Sequence, residues 1–293
     1  MTPEPVPGWV RFFAIVAAVV TGLLVVPMVA LGAIAVAATV AQIQHTTFVD
    51  VGPLPHLRVD ARFGSVVIEA GRDGRVVVEE RLSAGSITRA AAGAALAQMA
   101  VAVGHQGDQV DVRQPSPSIV APTINRSSEI TIQVPARTDL TVANLGDVRI
   151  QGVDGDVSFQ GPGSLELRDV TLRGSSTLDA PLGEVTMTNV TIAGNATITK
   201  TIGTVTFDGQ LAPGGSTLVI RDDAGDVTVT LPQPTDARAV VTAPPNEFHA
   251  SGSWLFAPDT VAAPQHWTAD LGPNPTGTVT VRTYIGSVSF HSR

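Results

Sequence analysis

Hydrophobic and polar residues alternate in a short phrase that returns between Leu145 and Leu231. The phrase is a glycine, a small or acidic residue, a valine, any residue and an apolar residue. Alternation with a period of two predicts a β-strand that buries one face, and the leading glycine suits a sharp corner. Within this stretch the copies begin at Gly146, Gly155, Gly183, Gly203 and Gly225, and two outlying copies begin at Gly64 and Gly286.

The spacing of the copies predicts how the strands are arranged. Leu165, Val185 and Val205 are twenty residues apart, and Val227 follows after twenty-two. A repeat of this length is typical of a solenoid, in which each strand stacks on its equivalent one coil away at roughly 4.8 Å. The register therefore favours an all-β, single-stranded β-solenoid with three short strands per coil. A β-sandwich is the alternative, because short strands every eight to twelve residues fit it too.

Outside the repeat, the pattern predicts further strands and one small helix. Strands are expected at 57–61, 65–69 and 75–81, and a hairpin joins 99–103 to 109–113. Ser86 is expected to cap an alanine-rich helix that runs to Gln98. After Leu231 the rhythm breaks, because prolines punctuate the sequence.

The N-terminal part of the chain predicts a membrane anchor. Residues 12–41 contain no charged residue, and a helix of that length spans about 45 Å, more than a hydrocarbon core of about 30 Å. A cleavable signal peptide is the alternative, although the apolar run is longer than its usual apolar region. Arg11 precedes the run, and the next basic residue is Arg58, so the N-terminus is expected in the cytoplasm.

The expected organisation follows from these patterns. It comprises a cytoplasmic tail at 1–11, a transmembrane helix at 12–41, a tether at 42–56 and a β-solenoid ectodomain at 57–293, whose repeat core is 145–231 and whose C-terminal cap is 232–293.

Composition and charge exclude several functions. The 293-residue chain contains no cysteine, which excludes disulfides, thiolate metal sites and cysteine nucleophiles. Its net charge of −8 argues against a nucleic-acid partner, because nucleic acid calls for a basic face.

The run from Glu129 to Ala136, followed by Leu140-Thr141-Val142 and successive Gly-Asp-Val phrases, resembles the bacterial putative-adhesin family. The resemblance covers most of the chain from Leu57 onward. It implies an extracytoplasmic, right-handed β-solenoid that is often tethered to the membrane and is sometimes linked with envelope stress. The stretch between about Pro244 and Trp267 departs from the family pattern. The family supplies no binding residues.

Acidic residues follow several of the corner glycines, and stacked carboxylates can cleave glycosidic bonds. Glu184 and Asp226 are predicted to lie two coils apart, about 9.6 Å, near the upper limit for an inverting pair. Thr204 lies between them, and corner acids are ordinary solvated turn residues. We therefore assign no catalytic, cofactor-binding or metal-binding residue. Calcium binding around Asp154 and Asp156, or at Asp222 and Asp223, is likewise set aside, since neither fits the EF-hand spacing or the Gly-Gly-x-Gly-x-Asp repeat.

Four aromatic residues after the repeat are the best candidates for ligand contact: Phe248, Trp254, Phe256 and Trp267. Exposed aromatic rings can stack on sugars or anchor a partner. The alternative is a cap that covers the last coil and its open edge.

Three functions remain open on the sequence. The first is a non-catalytic adhesion, binding or envelope-structural module, held by its single-pass anchor with its C-terminal domain outside the cytoplasm, whose partner is a cell-surface glycan or an envelope protein. The second is an envelope-stress sensor or regulatory partner of a membrane protein. The third is a carbohydrate-cleaving β-helix enzyme.

Overall fold

The structure, a computed structural model, describes residues 39–86, 88–115, 123–258 and 264–293. The chain divides into two compact units. Among the described residues, the smaller unit contains 39–42, 83–86, 88–97 and 123–126, and the larger unit contains the rest.

The smaller unit contains most of the one described helix, α1 (Arg89–Met99). The N–H of Ala91 donates to the hydroxyl oxygen of Thr88 at 3.2 Å, which is the bond that an N-cap makes. The helix was predicted to begin at Ser86, but Ser86 is the last residue of a strand. The cap is therefore two residues later than predicted, because the strand pairing extends further than the alternation of the sequence indicated.

The rest of the described chain is almost entirely strands. In chain order they are β1 (Thr39–Asp50), β2 (His56–Ala61), β3 (Ser65–Ala70), β4 (Arg75–Ser86), β5 (Ala102–Gln106), β6 (Gln109–Arg113), β7 (Thr123–Val134), β8 (Asp139–Asn144), β9 (Val148–Gln151), β10 (Asp154–Gly155), β11 (Val157–Gln160), β12 (Leu165–Arg168), β13 (Thr171–Leu172), β14 (Ser175–Asp179), β15 (Val185–Ile192), β16 (Asn195–Ile202), β17 (Val205–Leu211), β18 (Thr217–Ala224), β19 (Val227–Leu231), β20 (Ala237–Ala243), β21 (Phe248–Ser251), β22 (Ala257–Pro258), β23 (Gln265–Asp270), β24 (Gly277–Ile285) and β25 (Val288–Ser292).

These strands form two long sheets. Sheet one has the order β1-β4-β7-β3-β9-β12-β15-β17-β19-β25-β21, with β10 and β13 beside it. Sheet two has the order β22-β23-β20-β24-β18-β16-β14-β11-β8-β2-β6-β5. From β8 to β19 the chain alternates between the sheets, apart from the short strands β10 and β13. We call each passage from a strand of sheet two, around a corner, into a strand of sheet one a rung.

The register confirms the period that was predicted from the sequence. Leu165 pairs with Val185, Val185 with Val205, and Val205 with Val227, all in parallel strands. On sheet two, Thr177 pairs with Thr197. A solenoid-like stack of parallel strands is therefore present, and the antiparallel sandwich is excluded for this repeat.

The prediction of a single-stranded coil with three short strands was too simple. Three strands per turn occur at β12, β13 and β14, but β15 runs through the position of the first two and shifts register between Thr188 and Val190. The strands of one turn are also divided between two sheets, with β12 and β13 in sheet one and β14 in sheet two. Antiparallel pairs occur at the ends of sheet two, where β5 pairs with β6 as predicted and β23 pairs with β20 and β22.

The order of the rungs in space differs from their order in the sequence at both ends. Strands β24 and β25 lie between β18 and β20 and between β19 and β21, respectively. At the other end, β2 lies between β6 and β8, and β3 between β7 and β9. The predicted cap at 232–293 is thus not one block, since its last two strands are interior rungs. The outlying phrases at Gly64 and Gly286 belong to the same stack as the central copies.

Inward side chains of both sheets form one hydrophobic core in the larger unit. Along sheet one, buried valines and leucines stack from Val148 to Val288, and beside them a second row contains Phe207 and Phe290. Full burial of each such side chain contributes about 1.5–3 kcal/mol. No rung covers its own inward face, so the stack is stable only as a whole.

The transmembrane prediction for 12–41 lies outside the described residues, apart from 39–41, which begin β1. The predicted tether at 42–56 is largely ordered as β1 and the start of β2. Within the ranges that the structure describes, no helix has the length and apolar character to span a bilayer.

Candidate functional site

The four candidate aromatic residues lie at the β21 end of the stack. The ring of Phe248 lies 4.9 Å from that of Phe256 and 4.8 Å from that of Trp267, measured between centroids. Phe256 also lies 5.3 Å from the buried ring of Phe290. These three rings are half-buried and pack against the core.

Trp254 has a different environment. It is buried, and its indole N–H donates to the carbonyl oxygen of Leu271 at 3.1 Å. Aromatic rings that contact each other at these distances cover apolar surface at the end of the core. Leu255, between Trp254 and Phe256, is 89 % exposed. The arrangement can serve as a cap, and it leaves the partly exposed faces of three rings for contact with a ligand.

Six of the seven corner glycines stand in one column where sheet two passes into sheet one, and Gly163, between β11 and β12, is the seventh glycine of this column. A Cβ on Gly146 would collide with the carbonyl oxygen of Gly64, one on Gly203 with that of Gly183, and one on Gly225 with that of Gly203. Gly203 and Gly286 also have φ of 125° and 113°, where other residues are strained. The glycines are therefore needed because each corner rests directly on the backbone of the next. Gly155 lies at another corner, against Thr138.

The residues that follow these glycines form a second column, which alternates hydroxyl and acid without exception over seven rungs. Along the order of sheet one they are Ser65, Asp147, Ser164, Glu184, Thr204, Asp226 and Ser287. Alternation separates the carboxylates by two rungs, about 9.6 Å. Like charges on adjacent rungs would destabilise the stack, and the hydroxyls prevent this. We call this set the acid–hydroxyl column.

Corner acids hold neighbouring rungs together. The carboxylate of Asp147 accepts the backbone N–H of Ser164 at 3.0 Å, and that of Asp226 accepts the N–H of Ser287 at 2.9 Å and its hydroxyl at 2.8 Å. At the other corner, Asp156 accepts the N–H of Gly174 at 2.6 Å. Bonds from Ser287 lower the pKa of Asp226, the backbone N–H most and the hydroxyl next.

The hydrogen bonds of the corner acids argue against the alternative of a carbohydrate-cleaving enzyme. A glycosidase needs a general acid whose pKa is raised, whereas the pKa of Asp226 is lowered. Glu184 accepts the hydroxyl of Thr186 at 2.9 Å. Sequence reasoning missed the clamping role, although the acids and the Ser or Gly that they bind recur at spacings of 17 and 18 residues.

Inside the same corner lies a buried charged pair that the sequence did not reveal. Lys200, the only lysine, is 1 % exposed and donates from Nζ to the carbonyl oxygens of Gly183 at 2.5 Å and Ala180 at 3.4 Å. Asp222 is also 1 % exposed, and neither carboxylate oxygen has a hydrogen-bond partner within the described part of the chain.

Burial raises the pKa of Asp222 to about 6, and the attraction of Lys200 and the nearby N–H of Ala224 offset only part of this effect. Burial likewise lowers the pKa of Lys200. The only signals in the sequence were the single lysine and its separation of 22 residues from Asp222, one rung.

Of the acids considered for calcium, Asp154 and Asp156 are held by arginine and backbone groups. Asp154 pairs through both carboxylate oxygens with the guanidinium of Arg173, and Arg137 lies 3.9 Å away. This contact raises the pKa of Arg173. Within the described ranges, no group of three or more histidine, cysteine or acidic side chains is placed to hold a metal ion.

The outer face of sheet one carries an open depression of about 450 Å³ beside the acid–hydroxyl column. Glu166 lies in it, 2.6 Å from Arg149 and 2.9 Å from Arg168. The hydrogen bond from Arg149 is the main cause that lowers the pKa of Glu166. The depression is therefore lined by ionised, mutually paired groups, which suit contact with polar ligands.

Residues 57–251 match the family described as toastrack DUF4097. The chain belongs to this family. The match covers about two thirds of the chain and includes the column of corner glycines as far as Gly225. No curated protein matches the sequence.

The toastrack chain is also similar to solved structures. A putative cell adhesion protein from Clostridium sporogenes is 9 % identical, with a TM-score of 0.34, 86 % of this chain and 99 % of that one being covered. A putative adhesin from Bacteroides fragilis is 14 % identical, with a TM-score of 0.44 and coverage of 85 % and 97 %. A putative lipid binding protein from Parabacteroides distasonis is 10 % identical, with a TM-score of 0.27 and coverage of 84 % and 96 %. Identities and TM-scores this low carry no function to the toastrack chain.

Proposed function

We propose that this toastrack chain is a non-catalytic binding module that is held outside the cytoplasm by an uncleaved apolar segment at 12–41. The main support for a non-catalytic role is that the corner acids form hydrogen bonds to neighbouring rungs. Asp147, Asp156 and Asp226 each accept a backbone N–H from the next rung. These carboxylates act as structural clamps, and the stack they hold presents the outer faces of the sheets as a rigid surface.

The location is supported by charge. Residues 12–41 carry no charge, and Arg11 lies on the side that is expected to remain in the cytoplasm. The ligand that we propose is a cell-surface glycan or an envelope protein, which the paired charges around Glu166 and the half-buried rings of Phe248 and Trp267 suit through polar contact and stacking.

Location can be tested directly because the chain has no cysteine. A single cysteine is placed in the full chain by Leu255→Cys, at a site that is 89 % exposed, and in a matched variant by Thr2→Cys. A membrane-impermeant maleimide is applied to intact spheroplasts. Label is expected on the Leu255→Cys variant at once and on the Thr2→Cys variant only after lysis. Label on the Thr2→Cys variant alone, or both variants in the soluble fraction, contradicts the proposal.

Absence of catalysis is tested on isolated cell-wall and capsular glycans. We expect the full chain to be retained on one of these insoluble polymers without releasing soluble sugar. Soluble product that is abolished by both Glu184→Gln and Asp226→Asn would establish an enzyme instead. Product that survives both variants would place a catalytic site elsewhere and would equally end the non-catalytic proposal.

A further inference from the structure

Directly before each glycine of the column stands an apolar residue. In the order of sheet one these are Phe63, Leu145, Pro162, Leu182, Ile202, Ala224 and Ile285. Four of them are large and exposed: Leu145 by 57 %, Leu182 by 48 %, Ile202 by 56 % and Ile285 by 69 %. We call these seven residues the apolar row.

A continuous row of this kind calls for an explanation. From Leu145 to Ile285 it crosses six successive rungs of sheet one, a length of about 24 Å at 4.8 Å per rung. Isolated exposed aliphatic residues are ordinary, but a contiguous exposed patch marks an interaction surface. Because the corner needs only the glycine for its geometry, the apolar identity of the preceding residue is explained by contact with something else.

Polar residues on both sides of the row restrict what can cover it. One side is the acid–hydroxyl column. The other side is the row of sheet-two residues Ala143, Gln160, Asp179, Thr199, Arg221 and Arg282, which are register partners in that order. The acid–hydroxyl column has three carboxylates and no basic residue, and the other side has Arg221 and Arg282 against Asp179. The two sides together are therefore net negative, which disfavours an anionic lipid surface.

We propose that the apolar row is the contact surface for a second copy of this chain, related by a two-fold axis that crosses the row between the rungs of Leu182 and Ile202. A two-fold contact must be self-complementary. This axis places Leu182 opposite Ile202 of the second copy and Leu145 opposite Ile285. All four exposed side chains are then covered in pairs, with the smaller Pro162 opposite Ala224.

The same axis matches both polar sides. In the acid–hydroxyl column it sets Asp147 opposite Ser287, Ser164 opposite Asp226 and Glu184 opposite Thr204, so that every carboxylate faces a hydroxyl. An axis placed on a rung would set acid opposite acid.

On the sheet-two side the axis sets Asp179 opposite Thr199, Gln160 opposite Arg221 and Ala143 opposite Arg282. No like charges meet on either side. Carboxylate–hydroxyl and amide–guanidinium contacts of this kind are typical of the polar rim around an apolar contact. The inference does not depend on the proposed ligand-binding role.

The experiment uses the full chain, whose lack of cysteine makes every introduced thiol unique. Two differently tagged copies, one with Leu145→Cys and the other with Ile285→Cys, are expressed together, and a short bis-maleimide is added to the membranes. The same is done for Leu182→Cys with Ile202→Cys. Leu255→Cys, exposed but outside the apolar row, is the matched control.

Crosslinks between the two tags are expected for both pairs, and none for Leu255→Cys. Leu145→Cys should not crosslink to itself, because the two sites are then about 24 Å apart. Self-crosslinking of the Leu145→Cys variant with no mixed product would show a parallel contact and overturn the axis. If no crosslink forms between copies and the row is protected from maleimide by the membrane or by another protein, the proposal that a second copy covers the row is wrong.

A second measurement does not depend on whether the cysteine variants fold, because it uses the unmodified chain. Sedimentation equilibrium of the otherwise unmodified chain in mild detergent should show a dimer, and Ile202→Ser should weaken it about tenfold or more, as expected for a central contact. Leu255→Ser should leave it unchanged. A monomer at all concentrations for the parent chain ends the proposal.

Discussion

Lys200 and Asp222 occupy the same position on the neighbouring parallel strands β16 and β18, and both are buried. Lys200 donates to carbonyl oxygens on the far side, those of Gly183 and Ala180, and does not form a close ion pair with Asp222. Asp222 is thus buried, and within the described chain neither of its carboxylate oxygens accepts a hydrogen bond. A buried carboxyl in this position resists ionisation.

We therefore predict that Asp222→Asn stabilises the chain at neutral pH. Burial raises the pKa of Asp222 from 3.8 to about 6 in the folded state. Stability associated with the protonated carboxyl, measured as the free energy of unfolding, is fully present below pH 3.8 and is lost as pH rises through about 6. At about 1.4 kcal/mol per unit of pKa, the gain from the variant above pH 6 approaches about 3 kcal/mol.

Denaturant unfolding at pH 4, 5.5 and 7.5 measures this gain. The free energy of unfolding of the Asp222→Asn variant should separate from that of the parent chain as pH rises. Parallel curves for the Asp222→Asn variant and the parent chain across this range would disprove the ionisation argument.

A second prediction concerns the glycine column. Gly203→Ala should destabilise the chain by about 2–4 kcal/mol, because its φ is 125° and a Cβ there meets the carbonyl oxygen of Gly183. Gly93→Ala, within α1 and with open space around it, should be neutral or stabilising by up to about 1 kcal/mol. Thermal unfolding of the two variants checks this, and an equal effect would show that the column is not tightly stacked.

The repeat was predictable from the sequence because it is local. Alternation and the spacing of Leu165, Val185 and Val205 identified both the inward faces and the register. Exchange of rung order at the two ends was not predictable, since Val66 pairs with Val148 and Val227 with Val288 across 82 and 61 residues. Periodicity carries no information on such distant pairings, which are decided by the fit of whole strands.

The candidate site was predictable only in part, for a related reason. Phe248 and Trp267 were identified together because both are aromatic residues that follow the repeat, and the structure brings their rings together. The role of Asp226 as a clamp on Ser287 depends on the same distant pairing of β19 and β25. Sequence alone therefore treated this acid as an ordinary turn residue.

A third prediction separates the two interpretations of the aromatic cluster. If the cluster is a cap, Phe248→Ala should lower the free energy of unfolding by about 1–3 kcal/mol, less than for a fully buried ring because Phe248 is half-buried. Leu255→Ala, at an 89 % exposed neighbour, should change it by less than about 0.5 kcal/mol. If the cluster instead binds a ligand, the Phe248→Ala variant would lose retention on cell-wall polymers while its unfolding curve stayed that of the parent.

The last prediction tests the clamp role of the corner acids. Asp226 accepts both the backbone N–H and the hydroxyl of Ser287, and these bonds lower its pKa below the ordinary 3.8. The stabilisation is therefore present above pH 3.8 and is lost as pH falls through the lower folded-state value. Asp226→Ala should cost less than about 1 kcal/mol at pH 7, because the group is exposed to solvent. Its unfolding curve should converge with that of the parent in acid. A cost for the Asp226→Ala variant that stays constant into acid would show that the carboxylate clamps nothing.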